Sequence, residues 1–81
     1  MNDYPIKTPN QLGLVLQGYR RARGLTQTDV GAKVGLAQKA VSKIELAPER
    51  AGLSMIFKLL AALDLELVVR PRGTPARPSE W

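Results

Sequence analysis

With 81 residues the chain has room for one small domain, and 44% apolar against 23% charged residues is the balance of an ordinary globular protein. Histidine and cysteine are both absent, which excludes disulfide staples, thiolate zinc sites, cysteine or histidine nucleophiles and histidine acid–base chemistry. No apolar run approaches the ~20 residues of a membrane helix, and Met1 to Lys7 lack the layout of a secretory signal. The expectation is a cytoplasmic protein that binds rather than catalyses, with no cofactor, no metal and no membrane partner.

The net charge of +5 is unevenly spread. Residues 20–43 hold Arg20, Arg21, Arg23, Lys33, Lys39 and Lys43 against Asp29 alone, whereas residues 44–69 are slightly acidic. A cationic window of this kind is either a solvated face or the footprint of a polyanionic partner.

Taken in chain order, residues 1–7 form an arm. A first helix opens at Thr8-Pro9-Asn10-Gln11, where Thr8 can cap, Pro9 suits the first helical position and Gln11 completes a capping-box pattern. Leu12, Val15, Leu16 and Tyr19 recur at helical spacing and predict a core-facing stripe, ended at Gly24. Gly13 and Gly18 weaken this helix, so packing must hold it. Thr26 predicts the start of a second short helix, with Asp29 favourably placed in its first turn and Gly35 stopping it. A third helix is predicted over Gln38 to Leu46, followed by a connector around Pro48.

The fourth helix, Leu53 to Leu63, is apolar nearly all round. Leu53, Ile56, Phe57, Leu60 and Leu63 make one stripe, expected to face the core. Met55, Leu59 and Ala62 make a second, expected to face either a second subunit or the chain's own wrapping segments. Residues 66–70, within the β-branched run ended by Pro71, predict a strand, yet no other segment looks like its partner. Pairing with the same segment of a second copy would satisfy its open backbone groups. Met55, Leu59, Leu67, Val68 and Val69 are therefore the predicted homodimer interface. Residues 71–81 form a Pro-rich tail ending in Trp81, expected to be mobile.

Residues 27–46 read QTDVGAKVGLAQKAVSKIEL. Two short helices crossing at a sharp turn require a small residue at the fifth position, Gly31, and one tolerant of positive φ at the ninth, Gly35. They also require apolar residues at the shared core, here Val30, Val34, Leu36, Val41 and Ile44. Every constrained position is met. This stretch resembles the helix-turn-helix of phage-repressor-like (Xre/Cro) DNA-binding proteins. Thr8 to Leu12, Phe57 to Leu60, Leu63 to Leu67, the final strand and the Glu-Trp ending make the similarity to HipB-type antitoxins closer.

That resemblance implies an all-α domain over residues 8–65, four to five helices with a C-terminal strand that pairs across a homodimer. It implies a repressor that binds a palindromic operator in double-stranded DNA and neutralises a HipA-type kinase toxin. The third helix would enter the major groove, with Gln38, Lys39, Ser42, Lys43 and Ala37 as the expected base contacts. Gln38 is the first choice among them, because its amide can pair bidentately with adenine. Gln27, Thr26, Arg21, Arg23 and Lys33 are the expected phosphate contacts, Thr26 also serving as a cap. Arg20 and Glu45 resemble a structural ion pair of that family. Trp81 is either an exposed end, an anchor for the toxin or part of a degradation handle. A stand-alone repressor without a toxin, and a protein-interaction module without DNA function, are the alternatives.

Overall fold

The computed structural model describes residues 3–72. Among them are four α-helices, α1 (Pro9–Ala22), α2 (Gln27–Val34), α3 (Gln38–Leu46) and α4 (Leu53–Ala62), with a 3₁₀ turn at Pro48–Arg50 and no strand. The expected all-helical architecture is what forms.

Local chemistry sets the boundaries. The Gln11 backbone N–H donates to Thr8 Oγ1 at 3.1 Å. Gln11 Oε1 accepts from the backbone N–H of Lys7, at 2.6 Å, so the reciprocal half of the cap lies one residue upstream of the expected Thr8. At α2 the box is complete. The Asp29 N–H donates to Thr26 Oγ1 at 3.0 Å, and the Thr26 N–H donates to Asp29 Oδ2 at 2.9 Å. Gly35 closes α2 in the left-handed region at φ +73°, where a side chain would be strained.

Leu16, Val30, Val41, Ile44, Leu59, Leu60 and Leu63 form one buried cluster fed by all four helices. Two glycines let backbones meet around it. A methyl at Gly31 would collide with the Leu36 carbonyl oxygen, so α2 and α3 cross at that point only without a side chain. A methyl at Gly13 would collide with the Glu45 carbonyl oxygen, which makes Gly13 the crossing point of α1 and the end of α3.

The facing of α4 departs in part from the sequence expectation: Leu60 and Leu63 are buried as expected and Ile56 packs against the core, but other positions differ. Leu59, expected at the dimer interface, is 0% exposed and belongs to the chain's own core, with Met55 packed partly against it. Leu53 and Phe57, expected inside, are 64% and 46% exposed. Both stripes are equally apolar, so composition could not choose between them; the docking of α4 against α2 turns the Leu59 side inward. Residues 65–70 have no regular structure in this single chain, and Leu67, Val68 and Val69 are exposed.

The arm folds back along α1. The Tyr4 ring meets the Tyr19 ring edge-on with centroids 5.9 Å apart, and the Arg23 guanidinium lies 5.4 Å from the Tyr19 centroid. At its start, Asp3 Oδ2 accepts from the Arg70 guanidinium at 3.4 Å.

Candidate nucleic-acid interface

One polar chain runs from the interior to the end of α3. Arg20 Nε donates to Glu45 Oε2 at 2.6 Å and a second guanidinium nitrogen donates to Glu45 Oε1 at 3.2 Å, a bidentate pair with both residues buried. The third guanidinium nitrogen donates to the Leu25 carbonyl at 2.9 Å, which ties the α1–α2 connection to the same arginine. Gln27 Nε2 donates to Glu45 Oε1 at 3.0 Å, and Gln38 Nε2 donates to Gln27 Oε1 at 2.6 Å.

The arrangement follows from helix geometry. Arg20 and Glu45 lie on the buried faces of α1 and α3, while Gln27 and Gln38 each occupy the first position of their helix. Glu45 thus neutralises Arg20 and uses its spare lone pairs to anchor the first side chain of α2. That side chain in turn orients the first side chain of α3. No buried side-chain nitrogen or oxygen among the described residues lacks a partner, as a polar network in a low-dielectric interior requires.

The outer face of α3 carries Gln38, Lys39, Lys43 and Leu46 exposed, with Ser42 half-buried among them. Their spacing puts them on one stripe, opposite the buried Val41, Ile44 and Glu45. Ala37 precedes them as the N-cap, with no side-chain hydrogen bond to the helix. Four of the five expected base contacts therefore share the stripe, and Ala37 stands at its leading end.

Among the expected phosphate contacts, Arg21, Thr26 and Gln27 line one shallow concavity of about 510 Å³ together with Gln17, Arg20, Gly24 and Leu25. Gln17 is a lining residue that sequence reasoning missed; it lies one helical turn before Arg21, which was the available signal. Lys33 is exposed in the last turn of α2. Arg23 is not brought to this group. It lies over Tyr19, and two residues on from Arg21 along a helix is roughly the opposite side. Asp29, the lone acid of the window, has its carboxyl held below its ordinary value of 3.8 by the Thr26 backbone N–H and then by the Thr26 hydroxyl, with Lys33 adding a smaller push in the same direction. The pairing of Gln27 with Gln38 was not foreseen either; its signal was an amide at the first position of each helix of the motif.

Among the described residues no cluster of acidic side chains has the makings of a metal site, and no helix is long and apolar enough to cross a membrane. The outer face of α3 is instead cationic, with the Gln38 amide at its start, a combination suited to base and phosphate recognition. Trp81 lies outside the described residues.

Comparison with known proteins agrees with this geometry. The helix-turn-helix family model matches residues 16–69. Antitoxin HipB of Escherichia coli K12 is 29% identical across 100% of this chain and 99% of its own length. An uncharacterized helix-turn-helix transcriptional regulator, y4dL of Sinorhizobium fredii, is 35% identical over 70% of this chain but only 29% of its own length. Among solved structures, a chain of the HipA–HipB–O2–O3 complex superimposes with a TM-score of 0.83 at 28% identity, covering 86% of this chain and 99% of that one. The HipB–O4 20mer complex gives the same TM-score, identity and coverage. By the family match across two thirds of its length, this chain belongs to the helix-turn-helix family.

Proposed function

We propose that this protein is a sequence-specific DNA-binding repressor that acts as a homodimer and as the antitoxin of a HipA-type kinase. The observation that carries the DNA reading is the Gln38–Gln27–Glu45–Arg20 chain. It holds an amide at the leading end of α3, where a bidentate partner of adenine has to be preoriented. Gln38 and Ser42 meet base edges, Lys39 and Lys43 chiefly supply charge to the duplex, Ala37 offers a methyl contact, and Arg21, Thr26, Gln27 and Lys33 hold the backbone. Arg23 is assigned to the Tyr19 clamp instead, because its guanidinium is already stacked there.

The homodimer is supported by what a single chain leaves uncovered. Phe57 on α4 and the consecutive residues Leu67, Val68 and Val69 are all more than two-fifths exposed. A second copy covers them and supplies the strand partner that residues 66–70 lack, so that Phe57 takes the role first expected of Leu59. The kinase partnership is supported by similarity to HipB along nearly the whole length of both proteins, including a complex that contains HipA.

The testing experiment titrates the protein onto DNA from upstream of its own gene at several salt concentrations, with and without any HipA-type kinase found encoded beside it. Saturable binding that weakens steeply with salt, together with inhibition of the kinase by the protein, is the expected result. Binding without any kinase neighbour would leave a stand-alone repressor, a reading favoured by the match to the regulator y4dL. Failure to retain any duplex at low salt would leave a protein-interaction module.

A further inference from the structure

Leu46 ends α3 with 75% of its surface exposed, more than any other leucine among the described residues. It belongs neither to the core cluster nor to the residues packed against it. The chain turns inward directly after it, through Ala47 to the buried Pro48, so the 3₁₀ turn that follows does not shield the side chain. A lone exposed leucine ordinarily needs no explanation. This one stands inside the recognition stripe.

At about 100° per residue, Leu46 falls between Ser42 and Lys39 around the helix, near the middle of the stripe that begins at Gln38. Ser42 flanks it on one side, and the exposed Lys39 and Lys43 flank it on the other. Along the axis it lies about 12 Å from Gln38, close to the roughly 12 Å width of the major groove. The uncovered apolar residues assigned to a second subunit, Phe57 and Leu67 to Val69, lie on α4 and beyond it instead.

We propose that Leu46 is a further specificity-determining residue, which packs on a thymine methyl at a base pair other than the one Gln38 reads. The inference rests on the DNA-binding function proposed above. The leucine side chain has neither donor nor acceptor, so phosphates and the polar base edges offer it nothing. The thymine C5-methyl is the apolar group that a base pair presents in the major groove. A phosphate is further disfavoured at this position, because the end of α3 carries the negative pole of the helix dipole. Lys39 and Lys43 draw the duplex onto the same stripe, so the approach that serves Gln38 also takes Leu46 out of water. Burying one methyl group against it corresponds to about fourfold in affinity.

The test uses the duplex retained from upstream of the protein's own gene. Each thymine of one half-site is replaced in turn by deoxyuridine, which lacks only the methyl, and the parent is compared with Leu46→Ala. The parent should lose about fourfold at the thymine that Leu46 covers. Leu46→Ala should bind the unaltered duplex severalfold more weakly and be indifferent to the methyl at that position, with its salt slope unchanged. Its melting temperature and sedimentation should match the parent's, since little of the side chain is covered in the folded chain.

Persistence of every methyl effect in Leu46→Ala would overturn the proposal and leave the DNA reading intact. Affinity equal to the parent's would do the same, as would an equal loss on all duplexes, the mark of a contact with deoxyribose. A fall in sedimenting mass would place Leu46 in a subunit contact and also overturn it. Absence of duplex binding by the parent would overturn the DNA reading and this inference together.

Discussion

Gln38 donates its side-chain amide to Gln27 Oε1 at 2.6 Å, so the first side chain of α3 is held by the first side chain of α2. Behind it, Gln27 is held by Glu45 and Glu45 by Arg20, which brings the orientation of one exposed amide under the control of a buried ion pair. An amide fixed before DNA arrives loses less side-chain entropy on binding than one that must be ordered on contact.

That dependence separates two kinds of variant. Glu45→Ala leaves the Arg20 guanidinium buried without its partner and should cost about 3–5 kcal/mol of stability in urea unfolding. Gln27→Ala removes the hydrogen bonds to Gln38 and Glu45 but leaves the Arg20–Glu45 ion pair in place. It should leave stability within about 1 kcal/mol of the parent while weakening operator binding. Equal losses of stability for both would contradict the hierarchy described here.

The two glycines inside α1 should respond to alanine with opposite signs. Gly18 has open space where a Cβ would go, so Gly18→Ala gains helix propensity of about 1 kcal/mol and raises the melting temperature by roughly 4–8 °C. Gly13→Ala drives a methyl into the Glu45 carbonyl oxygen and should lower it, because the obstacle is backbone and cannot swing aside. Thermal unfolding followed by circular dichroism reads both.

Most of this fold was legible in the residues. Thr8 and Thr26 mark the starts of α1 and α2, Gly35 marks the turn, and α3 spans the predicted Gln38 to Leu46 although no side chain caps its start. Gly31 was legible as a crossing point because the motif fixes its place between two helices. Gly13 was not, because its contact lies 32 positions away at Glu45, and on a local reading it is only a helix weakener. The facing of α4 was illegible for a related reason: with apolar residues on both sides, only the neighbour it docks against decides that Leu59 turns in and Phe57 turns out. The candidate site divides in the same way. The stripe from Gln38 to Lys43 follows from helical period, but the diversion of Arg23 to Tyr19 depends on tertiary placement.

The α2 cap should make part of the stability dependent on pH. The Asp29 carboxyl is held below 3.8 in the folded chain, chiefly by the Thr26 backbone N–H. A depressed folded pKa means the contribution is fully present above the unfolded carboxylate range and disappears as pH falls through the folded pKa. Asp29→Asn should therefore be less stable than the parent at neutral pH, and the gap should close in acid, below the ordinary aspartate range. A gap of constant size across acid titrations of unfolding would contradict this.

Ala37 leaves the start of α3 without a side-chain cap while its φ of −71° and ψ of 156° already suit a capping residue. Ala37→Ser should add about 0.5–2 kcal/mol of stability. If the alanine methyl also meets a thymine, the same change should weaken operator binding, so that stability and affinity move in opposite directions. A calorimetric melt and a binding titration on the same preparation check the pair.

The central claim is that Gln38, held by Gln27, reads a base while the lysines of α3 chiefly supply attraction to the duplex. Its most direct measurement is the affinity of the parent, Gln38→Ala and Lys43→Ala proteins for the operator and for every single-base-pair variant of one half-site, repeated at several salt concentrations. Gln38→Ala should lose about 1–3 kcal/mol of discrimination at one base pair and keep the salt slope, whereas Lys43→Ala should weaken binding to all duplexes and reduce the slope by about one. Unchanged preference in Gln38→Ala, with discrimination abolished in Lys43→Ala, would contradict the account.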